Sequence, residues 1–313
     1  MAKIVVTEQI DPVGIGLLKA AGHTVVELGL GGGVEITAEQ VGDADALLVR
    51  ITEVTRRLLT SCPNLKLVSK HGVGVDNIDM DAAKEAGVAV TIAPGANSTS
   101  VAEHAFAMLI ALAKNLPTVC GKYREIGFAA KNCAPGIEIT GKTLGIIGCG
   151  RIGSRIAKMA HGGFDMRVLA YDPYITEAPE GVELVSDRDR VFTESDFVTL
   201  HPVLNAETQG SVGAREFALM KQGALFINCG RGPLIDEEAL IAALQSGHIG
   251  GAGLDVTAQE PCPPENPLFH MPNVLLTPHY APTTTEAAIA TSRLAAQNVL
   301  DFFAGKPIEG RLV

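Results

Sequence analysis

The sequence predicts an α/β protein made of two doubly wound, parallel-sheet domains. Three observations predict it. Short apolar runs alternate with amphipathic segments along most of the chain, the pattern of parallel strands buried on both faces and joined by right-handed helical crossovers. A glycine-rich turn at residues 148–153 interrupts the alternation in the context expected of a strand-to-helix corner. The chain is 313 residues long and 47% apolar with 19% charged residues, enough to build two ordinary cores without disulfide support.

The first block reads as strands at Ile4–Thr7, Thr24–Glu27, Ala46–Val49, Leu67–Ser69 and Val88–Thr91, with helices such as Pro12–Ala21 and Asp79–Ala86 between them. A long helix is predicted from Thr99 to Leu116, started by Ser98 and stopped near Pro117. It is apolar nearly all round, which predicts burial on several sides, either between domains or against a second subunit. The second block has strands at Leu144–Ile147, Val168–Tyr171, Val182–Val185, Phe197–Leu200, Leu225–Asn228, Gly253–Val256 and Val274–Thr277. A final helix runs from Thr284 to Phe303.

The formal net charge of −10 and the lack of any strongly basic stretch argue against a nucleic-acid partner, although a local Arg and His cluster can still bind a small anion. The N-terminus reads as a strand and not as a signal peptide. The most apolar helix is too short to span a bilayer and contains Glu103 and His104. The six cysteines show neither metal-ligand nor CxxC spacing, so no metal is expected, and free thiols point to the cytoplasm.

Gly148-Cys149-Gly150-Arg151-Ile152-Gly153 lies between the run Thr143 to Ile147 and the helical segment Ser154 to Ala160. In a dinucleotide-binding Rossmann domain the first such glycine makes the turn, the second admits a pyrophosphate and the third lets helix and strand pack closely. The helix N-terminus presents N–H groups to the phosphates. Asp172 ends the next strand, where a carboxylate accepts hydrogen bonds from a ribose 2′-OH and repels a 2′-phosphate. Pro173, Tyr174 and Ile175 follow, with no Arg or Lys, so NAD is expected over NADP.

Three polar clusters follow strands of the second block: Asn228-Cys229-Gly230-Arg231-Gly232, Asp255-Val256 leading to Glu260-Pro261, and Thr277-Pro278-His279. Ligands of open α/β sheets bind at the carboxyl ends of strands, so these clusters can converge. The chemistry suits hydride transfer to a 2-keto acid. His279 would give a proton to the carbonyl oxygen, Glu260 would orient the imidazole, and Arg231 would bind the substrate carboxylate.

On these residues, together with Met220 to Asp236 and Gly251 to Val256, the sequence resembles the D-isomer-specific 2-hydroxyacid dehydrogenases along essentially its whole length, and is closest in look to the short members similar to phosphoglycerate dehydrogenase. The resemblance implies a catalytic trio of Arg231, Glu260 and His279. It implies an NAD site lined by Val73, Gly148, Gly150, Arg151, Ile152, Gly153, Asp172, His201, Pro202, Cys229, Gly230, Arg231 and Asp255. It also implies substrate contacts from Arg50, Val73, Gly74, Asn97, Arg231 and His279. Arg50, Lys70 and His71 hint at an anionic substrate tail. A flavodoxin-like substrate domain over residues 1–97 and 286–313, an NAD-binding Rossmann domain over 98–285, and a homodimer built largely by the cofactor domain and the helix near 99–116 complete the expectation.

The expected activity interconverts a small 2-keto acid and its (R)-2-hydroxy acid, with 3-phosphoglycerate and phosphohydroxypyruvate among the candidates. A glyoxylate or hydroxypyruvate reductase and an NAD-sensing, corepressor-like scaffold are the alternatives. Two departures stand out. The family's usual order of His, any residue, Pro, Leu is replaced by His201-Pro202-Val203-Leu204, and no Trp stands near Phe128. The chain stops at Val313, so feedback through a further regulatory domain is not expected.

Overall fold

A computed structural model describes residues 1–31 and 34–313. The chain divides into two compact units, one made of Met1–Asn97 with Thr283–Val313 and the other of Ser98–Pro282.

The first unit winds β1 (Lys3–Val6), α1 (Pro12–Ala20), β2 (Thr24–Glu27), α2 (Ala38–Val41), β3 (Ala46–Val49), α3 (Arg56–Ser61), β4 (Leu67–Lys70), α4 (Met80–Glu85) and β5 (Ala89–Thr91) into a parallel sheet of order β2-β1-β3-β4-β5. This is the flavodoxin-like order, with its switch point between β1 and β3. Ala46–Val49 and Leu67–Lys70 are buried throughout, as strands covered on both faces must be. Asp11 caps α1 by accepting from the Val13 amide, and Pro12 supplies a preset φ where no donor is needed.

Two apolar clusters fill the two faces of this sheet. The C-terminal helix of the chain packs on α1 over one of them. A Cβ on Gly14 would lie 2.4 Å from Ser292 Oγ, so only glycine allows that approach. Ser292 Oγ then donates to the Asp11 carbonyl at 2.7 Å.

The second unit contains α5 (Ser98–Ala113), α6 (Leu116–Ile126), β6 (Thr143–Ile147), α7 (Gly153–Phe164), β7 (Arg167–Tyr171), β8 (Val182–Leu184), α8 (Asp189–Glu194), β9 (Phe197–Leu200), α9 (Ala214–Leu219), β10 (Ala224–Asn228), α10 (Glu237–Gln245), β11 (Ile249–Leu254) and β12 (Val274–Leu276). Its parallel sheet has the order β12-β11-β10-β9-β6-β7-β8. The chain winds outward from β6 through β7 and β8, then crosses to the other side of β6 at β9, which places the switch point between β6 and β9. The last helix, α11 (Thr285–Phe303), belongs to the first unit and is capped by Thr284. The chain therefore leaves the second unit after Pro282, earlier than the boundary at residue 285 expected from sequence.

The helix expected over 99–116 is two helices. It ends at Ala113, Asn115 takes a left-handed conformation with φ 50°, and Leu116-Pro117 opens α6. Pro117 therefore starts a helix instead of stopping one, because the first turn needs no N–H from it. The apolar surface of α5 is covered by its own sheet. Phe106, Met108 and Leu109 join the core with Ile146, Phe197 and Ile227. A Cβ on Gly253 of β11 would lie 3.0 Å from Met108 Cβ, so this glycine lets α5 lie close. No residue of α6 is buried. Among the described residues no helix is long and apolar enough to cross a membrane, and all six cysteines are free thiols.

Candidate active site

In the second unit six strands end together. Tyr171, Ile147, Leu200, Asn228, Leu254 and Leu276 pair side by side in one row across β7, β6, β9, β10, β11 and β12. The next residue on each strand is Asp172, Gly148, His201, Cys229, Asp255 or Thr277. The polar clusters scattered along the sequence thus emerge from one edge of one sheet.

Gly148 turns with φ +85°, and a Cβ there would lie 2.6 Å from the His201 carbonyl carbon. Gly153 lies against the Gly148 carbonyl, where a Cβ would approach to 2.3 Å. A Cβ on Gly150 would meet nothing within 4 Å, so its exposed backbone is open to an approaching ligand. No side chain caps the N-terminus of α7. These features fit a dinucleotide pyrophosphate.

Asp172 accepts from the Cys149 amide at 2.8 Å and the Tyr174 amide at 2.9 Å. The carboxylate therefore ties its own turn to the glycine loop, and its remaining lone pairs are what it can offer to a ribose. Arg151 is exposed, and Ile152 packs against the core. Cys229 is buried with Sγ 3.9 Å from Met108 Sδ, and burial pushes its thiol pKa up, so its side chain points away from solvent and only its backbone can line a site. The Cys149 thiol is likewise pushed up to about 11, by burial and the nearby Asp172 charge.

His201 Nε2 lies 2.8 Å from Thr199 Oγ1, Nδ1 is buried with no hydrogen-bond partner, and burial pushes the imidazole down to about 3. It is therefore neutral at pH 7. The altered order of this loop leaves Pro202 half-buried next to Gly148 and Val203 80% exposed.

His279 has φ 52°, and its Nδ1 lies 2.8 Å from Glu260 Oε2. A carboxylate only accepts, so Nδ1 carries the proton of this bond and Nε2 is left for a ligand. The other Glu260 oxygen accepts from the Thr257 amide at 3.3 Å. Arg231 is half-buried with Nη1 2.8 Å from the Gly230 carbonyl, and Asn228 braces its loop from both sides through the Gly230 amide and the Arg231 carbonyl. A Cβ on Gly232 would lie 1.8 Å from the Thr257 carbonyl, so this glycine allows the Arg231 loop to lie against the loop leading to Glu260. Asp255 is buried and accepts from Thr277 Oγ1, the Tyr280 amide and the Ala281 amide. His104 of α5, to which the sequence assigned no role, lies 3.1 Å from Thr277 Oγ1.

Arg50, Val73, Gly74 and Asn97 belong to the first unit. Val73 is exposed, whereas Gly74 and Asn97 are half-buried. Arg50 is exposed on a firmly held loop. The buried Glu8 accepts from the amides of Arg50 and Ile51, each at 2.8 Å, and from the amide and hydroxyl of Thr52. Burial raises the Glu8 pKa, but the hydrogen bonds from Thr7, the loop amides and Thr52 outweigh it and leave the carboxyl below its usual range. Lys70 does not face solvent. It is buried and donates to the Arg50 carbonyl and to Asn77 Oδ1. Burial and the Arg50 charge push His71 down to about 4. Sequence reasoning missed Glu8, whose partners on the Arg50 loop lie more than forty residues away.

Residues 106–281 match the family model described as D-isomer specific 2-hydroxyacid dehydrogenase, NAD binding domain. The chain belongs to this family. The D-3-phosphoglycerate dehydrogenase of Methanocaldococcus jannaschii is 42% identical over 313 residues, an alignment that covers 99% of this chain and 59% of that one. The chain thus spans under two thirds of the length of this relative. The TT0316 protein of Thermus thermophilus superposes with a TM-score of 0.90 at 31% identity, covering 99% of this chain and 100% of that chain. The D-lactate dehydrogenase of Aquifex aeolicus, solved with NAD and lactic acid, superposes with a TM-score of 0.85 at 30% identity, covering 96% of each chain. The matched residues 106–281 lie within the 98–282 unit.

Proposed function

We propose that the chain is an NAD-dependent oxidoreductase that interconverts a small 2-keto acid and its (R)-2-hydroxy acid. The pair of His279 and Glu260, joined at 2.8 Å beyond the row of strand ends, carries this reading. Bound NADH supplies the hydride to the keto carbon, and NAD accepts it in the reverse direction. His279 holds the proton that the carbonyl oxygen takes up as it becomes a hydroxyl. Glu260 accepts from Nδ1–H, which fixes the orientation and tautomer of the ring. Arg231 presents a planar fork of donors to the substrate carboxylate. Val73, Gly74 and Asn97 are the substrate-binding residues proposed for the first unit, read as the substrate domain.

Arg50 favours an acid with a second anionic group, such as phosphohydroxypyruvate. Its guanidinium is exposed, while the Glu8 and Lys70 bonds hold its backbone. The relatives named D-3-phosphoglycerate dehydrogenase support the same choice. Asp172, with no basic residue after it, favours NADH over NADPH. The protein works in the cytoplasm as a homodimer. The apolar residues Tyr123 and Ile126 of α6 and Phe128 just after it, 52–79% exposed, support a subunit contact through this segment in place of the buried α5.

The test is NADH oxidation against 2-keto acids with and without a phosphate or sulfonate tail, repeated with NADPH. Preference for the doubly anionic acid is expected. Preference for glyoxylate or hydroxypyruvate would make Arg50 a bystander, and no turnover despite NADH binding would reject the enzyme reading. His279→Ala should lower kcat by roughly 10²- to 10⁴-fold while NADH still binds.

A further inference from the structure

The turn that carries His279 is held from its inner side by the buried Asp255. The His279 amide donates to the Asp255 backbone carbonyl at 2.8 Å. On the residues that follow, the Tyr280 amide donates to Asp255 Oδ1 at 2.7 Å and the Ala281 amide to Oδ2 at 2.9 Å. On the residue two before it, Thr277 Oγ1 donates to Oδ1 at 2.5 Å. One carboxylate thus grips the chain on both sides of a residue whose φ of 52° a side chain rarely adopts.

The direction of the next bond follows from proton counting. An ionised carboxylate only accepts, so the single Thr277 hydroxyl proton points at Asp255. Thr277 Oγ1 is also 3.1 Å from His104 Nε2, and with its proton committed it can only accept there. His104 must therefore carry its proton on Nε2. The same nitrogen is 3.6 Å from Asp255 Oδ1, and the His104 side chain is 19% exposed. The result is a series of donors, His104 to Thr277 to Asp255, that starts on α5 and ends on the carboxylate gripping the His279 turn.

We infer that His104 is a positioning residue for His279 and acts through Thr277 and Asp255. This rests on the reading of His279 as the proton donor. His104 touches no reacting atom. It fixes the Thr277 hydroxyl, which fixes one oxygen of Asp255, which sets where the imidazole stands. Supporting groups of this kind change activity by about tenfold or more when removed.

Two measurements on the full chain test the inference. The first is steady-state kinetics of His104→Leu, His104→Gln, Thr277→Val, Thr277→Ser and the double variant His104→Leu/Thr277→Val. Thr277→Val should lower kcat about tenfold with KM and NADH affinity little changed. Thr277→Ser and His104→Gln, which keep a donor in place, should recover most of it. Because the bonds act in series, the double variant should be no slower than Thr277→Val alone. Losses that multiply in the double variant, or that fall equally on NADH affinity, would overturn the inference.

The second is ¹⁵N NMR of the histidines without substrate. The His104 signal should show a proton on Nε2, and the His279 signal should move in Thr277→Val but not in Thr277→Ser. A neutral His104 protonated on Nδ1 alone, or an unmoved His279 signal, would overturn the inference whatever the kinetics. Turnover of no keto acid by the unaltered protein would instead reject the enzyme reading, while the NMR still decides the relay.

Discussion

At the residue scale, the three glycines of the 148–153 turn have different physical roles, and substitution separates them. A Cβ on Gly153 would sit 2.3 Å from the Gly148 carbonyl, whereas one on Gly150 would meet nothing within 4 Å. Gly153→Ala should therefore destabilise the fold, by about 1–3 kcal/mol as overpacking does, seen as a lower denaturant midpoint. Gly150→Ala should leave that midpoint unchanged but weaken NADH binding, measured by quenching or enhancement of cofactor fluorescence. Equal stability losses in the two variants would contradict this division. His201 makes a prediction in pH. Burial holds its folded pKa at about 3, below the 6.5 of an unfolded chain. The unfolded state therefore takes up a proton first, and stability present above pH 6.5 is lost as pH falls toward 3. By pH 5 the loss from this one group is about 2 kcal/mol. His201→Gln should show a smaller drop in Tm between pH 7 and pH 5 than the unaltered protein.

At the element scale, α5 and β11 are matched by volume. Gly253 has Ile227 Cδ1 and Met108 Cβ each 3.0 Å from where its Cβ would stand. Gly253→Ala should cost about 1–3 kcal/mol by pushing α5 off the sheet. Shortening the neighbour in Gly253→Ala/Ile227→Val should return part of that loss, and chemical denaturation of the single and double variants measures it. The other two glycines of the Ile249–Leu254 strand answer to different neighbours, since a Cβ on Gly250 would lie 2.5 Å from the Gly223 carbonyl and one on Gly251 2.7 Å from the Asn273 carbonyl.

At the scale of the whole molecule, α5 is covered by its own sheet whereas α6 and the turn after it leave apolar side chains exposed. Phe128, in the turn, is 79% exposed and Tyr123, on α6, 62%, and no α6 side chain is buried. Clustered apolar exposure is what an association surface requires. Tyr123→Glu with Phe128→Glu should convert the proposed dimer to a monomer by light scattering while circular dichroism stays the same. A mass unchanged by the pair of substitutions would move the subunit contact elsewhere. The two sheets need no such partner, since their cores close within each unit.

The alternation of apolar runs determined both parallel sheets, because a strand covered on both faces must be apolar at successive positions. The glycine motif was legible for the same reason of locality. Its three positions act within one strand-to-helix corner, so spacing alone encodes them. Family resemblance marked Arg231, Glu260 and His279, but only the sheet register put Asn228, Leu254 and Leu276 side by side so that the residues after them share an edge. The break at Asn115 was hidden because a left-handed residue and a proline at a helix start look, in sequence, like one long helix and its stop. Glu8 under the Arg50 loop and His104 behind Thr277 were decided by tertiary structure alone. Their partners lie 42 and 173 residues away, and a hydrogen bond across that distance leaves no periodicity in the chain to read.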